Sequence, residues 1–215
     1  MDIQWKPSPN YRAGRKGRVP IAIVNHITAG LMPGTLTWLC NPQAQASSHY
    51  LVTRAGVIYQ LVKEEDTAWH AGGVIHPSWS LYDGTNPNNY TIGIEHECMA
   101  GGELTEAQYQ ATLWLHRQLV AKYNIPVDAD HIIGHYRIDS VDRPNDPGPN
   151  FPWTRLIADL KGVEDMAVTT VGEALKILQA KNVISDSGYW AKVVETTKFV
   201  DALLINMANK LQEVS

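Results

Sequence analysis

VPIAIVNH, residues 19–26, is the stretch from which the fold can be read. Ile21, Ile23 and Val24 form a short β-branched run, the side-chain type that fits a pleated sheet, and the run stops on a histidine. It reads as a buried strand delivering His26 at its C-terminal end. Beyond it Gly30, Pro33 and Gly34 interrupt the chain before Leu36, Trp38 and Leu39, which predicts a loop and a short helix. HYLVT (49–53) and GVIYQL (56–61), separated by Arg54 and Ala55, read as a β-hairpin. Residues 70–91, rich in Gly, Pro and Asn, form a long loop of the kind that often carries function. TIGIE (91–95) is a strand ending on Glu95. Ala107, Ala111, Leu115 and Leu119 recur every four residues, so 105–123 is a helix, opened by Thr105 with Gln108 as a capping-box-like pair. HIIG (131–134) is a last short strand leading to His135, followed by the Pro- and Gly-rich loop DRPNDPGPNFPW. Strands alternating with helices predict an α/β fold with a mixed central β-sheet flanked by helices.

After Gly162 proline disappears and helix signals return. Thr170 and Glu173 make a capping box, and Val200, Leu203, Leu204, Met207 and Leu211 form an apolar stripe at helical spacing. The expected division is a main domain over 1–163 and a small helical C-terminal appendage over 164–215, with the boundary near 163–167. A wall-targeting module, a helix pair that makes a homo-oligomer, and a packing flap are all open roles for the appendage.

Over 215 residues the chain is 44% hydrophobic and 19% charged, the balance of a folded globular protein. A net charge of -4 argues against a protein built to bind nucleic acid. Positive charge is concentrated at Lys6, Arg12, Arg15, Lys16 and Arg18, a segment expected either to be simply solvated or to meet an anionic polymer such as cell wall. Cys40 and Cys98 are expected to be free thiols or small core residues. No apolar stretch approaches the ~20 residues of a membrane span. The polar N-terminus lacks a signal-peptide apolar region, so the expected location is the cytoplasm until holin action or lysis releases the protein.

Eight histidines are available for chemistry. His116, mid-helix, is expected at the surface, and His76 and His131 carry no functional signal. His96, next to Glu95, points to the opposite sheet face by strand alternation. His26 and His135 differ, because each follows an apolar strand and precedes a loop. Asp146 sits in an NDPG turn after His135. Two imidazoles and one carboxylate would give Zn²⁺ three ligands and leave a fourth position open. On the residues alone the plainer reading is two structural histidines and an ordinary turn.

Six blocks then occur in order: VNHITAG (24–30), SSHYLV (47–52), WHAG (69–72), IGIEHE (92–97), IIGHYRID (132–139) and NDPGPNFPW (145–153). Together they resemble the zinc-dependent N-acetylmuramoyl-L-alanine amidases of the type-2 family, relatives of the animal peptidoglycan recognition proteins, over roughly residues 19–160. The resemblance implies a peptidoglycan hydrolase, endolysin-like and bacteriolytic, that cuts the amide between N-acetylmuramic acid and L-alanine with Zn²⁺ as cofactor. It implies His26, His135 and Asp146 as metal ligands and Glu95 as the catalytic acid/base. It also implies Trp69 and His70 as substrate-groove residues, and it places His49 in the sheet lining the groove rather than on the metal.

One departure stands out. Many members carry a lysine two residues before the third ligand, and here that position is Pro144 in a loop one residue longer than expected. Arg143 is the candidate catalytic cation in its place, with His70 or Tyr59 as alternatives and an ordinary surface arginine as the plain reading. Two other functions compete. A binding-only module usually lacks the third ligand, whereas Asp146 is present. A zinc peptidase acting on the stem peptide has no HExxH motif to support it.

Overall fold

A computed structural model describes residues 1–162, 170–197 and 200–213, without the side chains of 173 and 209–213. The expected boundary at 163–167 and the side chains of Glu173 and Leu211 therefore fall outside the described residues. Two compact units appear, Met1–Leu160 and Lys161–Ser215.

The first unit contains β1 (Ile3–Trp5), β2 (Tyr11–Arg12), β3 (Ala22–Ile27), α1 (Gly34–Leu39), β4 (Tyr50–Val52), β5 (Ile58–Gln60), β6 (Thr67–Ala68), β7 (Thr91–His96), α2 (Glu106–Tyr123), β8 (Ile132–Gly134) and most of α3 (Trp153–Lys161). Six strands form one sheet in the order β1-β5-β4-β7-β3-β8, and β2 pairs with β6 in a separate ribbon. Only the expected hairpin, β4 with β5, is antiparallel in the large sheet. The other neighbours run parallel, so the C-terminal ends of β3, β7 and β8 share one edge. The mixed sheet flanked by helices is the expected architecture.

Strand alternation sorts the chemistry. Ile23, Ile92 and Ile94 turn toward α2 and pack with Ala111, Leu115 and Leu119. Ala22 and Val24 turn to the other face, against Tyr90, Trp79 and Ile133. His26 follows Ala22 and Val24 on that second face. In the parallel register His26 lies opposite Glu95, which follows Thr91 and Gly93 on the same face.

Thr105 caps α2 through its hydroxyl, which accepts from the Gln108 amide at 3.1 Å. The Gln108 side chain does not close the box and instead donates to the carbonyls of Val52 and Glu97. Two expectations are corrected. His116 is buried rather than exposed. The reason is that α3 covers a second flank of α2, with Leu156 and Leu160 against Tyr109 and Leu113, so the buried arc is wider than one sheet contact gives. Arg15 is also buried, donating to the carbonyls of Glu64 and Thr91. It belongs to the framework, unlike exposed Lys6 and Lys16. Cys40 and Cys98 are free thiols.

The second unit has its own core. α4 (Val171–Ala180), α5 (Ser187–Thr196) and α6 (Val200–Glu213) enclose Ala174, Leu175, Leu178, Ile184, Leu204 and Ala208. Within the apolar stripe Leu204 is buried, while Leu203 and Met207 are exposed. Among the described residues no helix is long and apolar enough to cross a membrane.

Candidate active site

Three chain segments meet at the shared edge of β3, β7 and β8. β3 brings His26, which is buried. β8 ends at Gly134, and the next residue, His135, opens a short 3-10 turn. A Cβ on Gly134 would stand 2.6 Å from the Tyr136 ring and 2.7 Å from Pro147, so only glycine lets the NDPG loop close over this turn. The loop is tied down at Asp146. Its Oδ1 accepts from the Ile27 amide at 2.7 Å, and its carbonyl accepts from the Tyr136 amide at 3.1 Å.

With Oδ1 held by backbone, Asp146 Oδ2 is left facing the two imidazoles. It lies 3.0 Å from His26 Nδ1 and 3.0 Å from His135 Nδ1. The potential ligand atoms of these three residues all lie within 4.8 Å of one another. A carboxylate oxygen and two neutral imidazole nitrogens are all lone-pair donors, so what binds them together must be a cation or a proton. The pKa values reflect that demand. Burial lowers the His26 value, but the charge and hydrogen bond of Asp146 outweigh it and the net shift is upward. His135 is shifted down, chiefly by burial. Asp146 is held well below the usual carboxylate range because its two histidine partners outweigh its burial. The donor set, two imidazoles and one carboxylate with an approach from one side, fits Zn²⁺.

Glu95 stands beside His26 in the strand register, and its Oε2 is buried without a hydrogen-bond partner. Burial pushes its carboxyl up to about 7, with Asp146 adding to the shift and His26 and Arg143 opposing it. A carboxyl in that range can both take and return a proton near neutral pH.

A cavity of about 1070 Å³ opens over these groups, lined among others by His26, Glu95, His135 and Asp146. Trp69 and Arg143 also line it, as does Trp38, whose indole is exposed. Trp38 is read from the sequence only as part of a short helix, and no sequence signal marks it as a groove residue. Arg143 is exposed, and its Nη1 donates to the Asp142 carbonyl at 3.0 Å. Tyr59 packs with Leu39, Leu51 and Leu61, away from the cavity lining.

His49 is buried in the sheet, where its Nδ1 accepts from the Gly93 amide at 3.0 Å, consistent with a place off the metal. His70 lines the cavity but is largely buried, and both ring nitrogens contact protein: Nδ1 lies 3.1 Å from His26 Nε2 and Nε2 lies 3.2 Å from Thr91 Oγ1. His96 faces away as alternation requires, and its Nδ1 donates to the His26 carbonyl at 2.8 Å. His96 thus contacts His26 and Thr91 contacts His70, roles that the sequence motifs alone do not single out.

Comparison with known proteins gives a consistent picture. The family model described as N-acetylmuramoyl-L-alanine amidase matches residues 16–149. The chain is 35% identical over 178 residues to the 1,6-anhydro-N-acetylmuramyl-L-alanine amidase AmpD of Salmonella typhimurium, covering 74% of this chain and 90% of the relative. It is similar to the crystal complex of E. coli AmiD, an N-acetylmuramyl-L-alanine amidase, with anhydro-N-acetylmuramic acid-L-Ala-D-gamma-Glu-L-Lys. That match has a TM-score of 0.58 and 28% identity, over 77% of this chain and 71% of that one. The amidase LysC of Clostridium intestinale shares the fold, with a TM-score of 0.59 at 23% identity over 75% of this chain and 98% of that one.

Proposed function

Because this chain belongs to the N-acetylmuramoyl-L-alanine amidase family, we propose that its three-ligand cluster is the zinc centre of a peptidoglycan hydrolase acting on cell wall. The activity is hydrolysis of the amide between N-acetylmuramic acid and the L-alanine of the stem peptide. The single observation that carries the metal reading is the convergence of His26 Nδ1, His135 Nδ1 and Asp146 Oδ2, with Glu95 beside His26 in the strand register.

Zn²⁺ held by these residues would supply Lewis acidity toward water and the amide carbonyl. The remaining work belongs to the chain. Glu95 Oε2 takes a proton from the water attacking the carbonyl carbon and returns it to the alanine nitrogen as the C–N bond breaks. The products are the lactyl carboxylate of the muramic acid and a stem peptide with a free L-alanine amine. Arg143, at the cavity rim, stands in for the family lysine as the positive charge toward the developing oxyanion. Trp69 lines the groove and contributes an aromatic surface to substrate. The cavity of about 1070 Å³ has room for a strand of wall polymer, and an endolysin-like, bacteriolytic role on the wall after release from the cytoplasm is part of this proposal.

Mass spectrometry of digested wall tests this reading. Intact stem peptides bearing free L-alanine are expected, with one equivalent of zinc in the purified protein. Truncated stems would instead identify a peptidase, and intact wall with unchanged turbidity a binding module.

A further inference from the structure

A backbone carbonyl can only accept a hydrogen bond, and one such group sets the polarity of a chain of side chains leading to the metal site. Thr91 Oγ1 lies 2.8 Å from the Pro87 carbonyl and must donate to it. Its lone pairs are then what it offers to His70 Nε2 at 3.2 Å, so the proton between them sits on His70 Nε2. A neutral imidazole carries one proton, so His70 Nδ1 is bare and accepts from His26 Nε2 at 3.1 Å. With its proton on Nε2, neutral His26 presents a bare Nδ1 toward Asp146, the arrangement a metal ligand requires.

The surroundings hold the relay in register. Asn88 Oδ1 accepts from the backbone amides of His70 and Ala71 at 3.1 and 2.7 Å. The His70 ring lies directly over Gly93 of β7, where an added Cβ would stand 2.4 Å from the ring Cγ. The glycine of TIGIE is therefore the floor on which His70 rests, and no larger residue leaves room for it. His70 is largely buried with both nitrogens engaged, which removes it from direct hydrogen bonding to substrate.

We propose that His70, backed by Thr91, is a positioning residue that fixes the Nε2–H tautomer and ring orientation of His26 and thereby sets metal affinity, rather than a substrate-binding residue. This rests on the reading of His26 as a ligand.

The test uses the full chain and zinc competition against a chromophoric chelator. His70→Leu is expected to weaken zinc binding ~10–100-fold, while His70→Asn, whose Oδ1 replaces the accepting Nδ1, stays within about threefold of wild type. Thr91→Val, which leaves both rings in place, is expected to show a smaller loss. In the zinc-loaded wild type, imidazole ¹⁵N shifts are expected to report His70 protonated on Nε2, a readout that needs no variant to fold. Wild-type affinity in His70→Leu, equal weakening in the Leu and Asn variants, or a proton on His70 Nδ1 would each overturn the assignment. His26→Ala separates the two levels: if it retains zinc with wild-type affinity, the ligand reading itself fails, whereas a zinc-free His26→Ala beside an unaffected His70→Leu sinks the relay alone.

Discussion

At the scale of single residues, the site brings two imidazoles and a carboxylate together, with Asp146 Oδ2 3.0 Å from the Nδ1 of both rings. His26 Nε2 is anchored on His70 and Asp146 Oδ1 on the Ile27 amide, while the buried His135 Nε2 has no hydrogen-bond partner among the described residues. Losing one ligand leaves the other two in place but cuts the donor set below what zinc needs. His26→Ala and His135→Ala are therefore expected to lose zinc and activity together; stoichiometric zinc in both purified variants would sink the ligand set. Glu95 makes a different contribution. Among the described residues its Oε2 has no hydrogen-bond partner, and its carboxyl is pushed up to about 7, chiefly by burial. Glu95→Gln preserves shape without a transferable proton, so zinc should remain while the rate falls by ~10²-fold or more. Wild-type turnover in that variant would make Glu95 a structural carboxylate. These residues were legible because each lies in a distinctive block at a strand end or tight turn. The role of His70 was not legible, because WHAG reveals a histidine in a loop but not that Gly93, more than twenty positions later, provides the surface beneath it.

Secondary-structure elements show why some of the fold was readable and some was not. Period-two and period-four patterns gave the sheet strands β3, β4, β5, β7 and β8, and the helix α2, because each has a recognisable apolar face. β1, β2 and β6 carry no such pattern, being two or three residues long and held by pairing with distant strands. His116 is buried for a related reason: a helix flanked on two sides has no simple polar face, and α3 lies far along the chain from α2. The C-terminal end of α2 is tied to the loop after β5 through Glu64. Its carboxylate accepts from Tyr50 and Tyr123 and pairs with Lys122 at 2.7 Å. Burial alone would raise the Glu64 value, but these partners together lower it. A carboxyl depressed in the folded state stabilises the protein fully above its unfolded value of about 4.3, and that contribution is lost as pH falls through the folded value. Glu64→Gln should therefore be less stable than wild type at neutral pH, with the gap narrowing toward pH ~3. Urea midpoints at the two pH values measure this, and a gap independent of pH would show that Glu64 contributes by packing alone.

On the scale of the whole molecule, each compact unit has buried apolar clusters of its own. Residues that carry the chemistry and the family match all lie before Leu160, around the cores on the two sheet faces and beneath α3. The helices after Val171 bury Leu175, Leu178 and Leu204 among themselves. The change of composition after Gly162 is the signal behind the expected division, and among the described residues of the appendage no cluster of potential metal ligands points to a role. A unit with its own core is expected to fold alone. We therefore expect a chain ending at Gly162 to stay soluble, hold zinc and cleave a small soluble muropeptide near the rate of the full chain. On whole cell wall the outcome separates the open roles. If α4, α5 and α6 target the wall or pair with a second copy, truncation lowers activity on the polymer while sparing the muropeptide, since either device raises local concentration without altering the chemistry. Sedimentation of the two forms distinguishes pairing from targeting, and exposed Leu203 and Met207 are the side chains a pairing helix would cover. An insoluble or zinc-free truncated chain would show instead that the catalytic unit depends on residues beyond Gly162 and that the division into two independently folding parts is wrong.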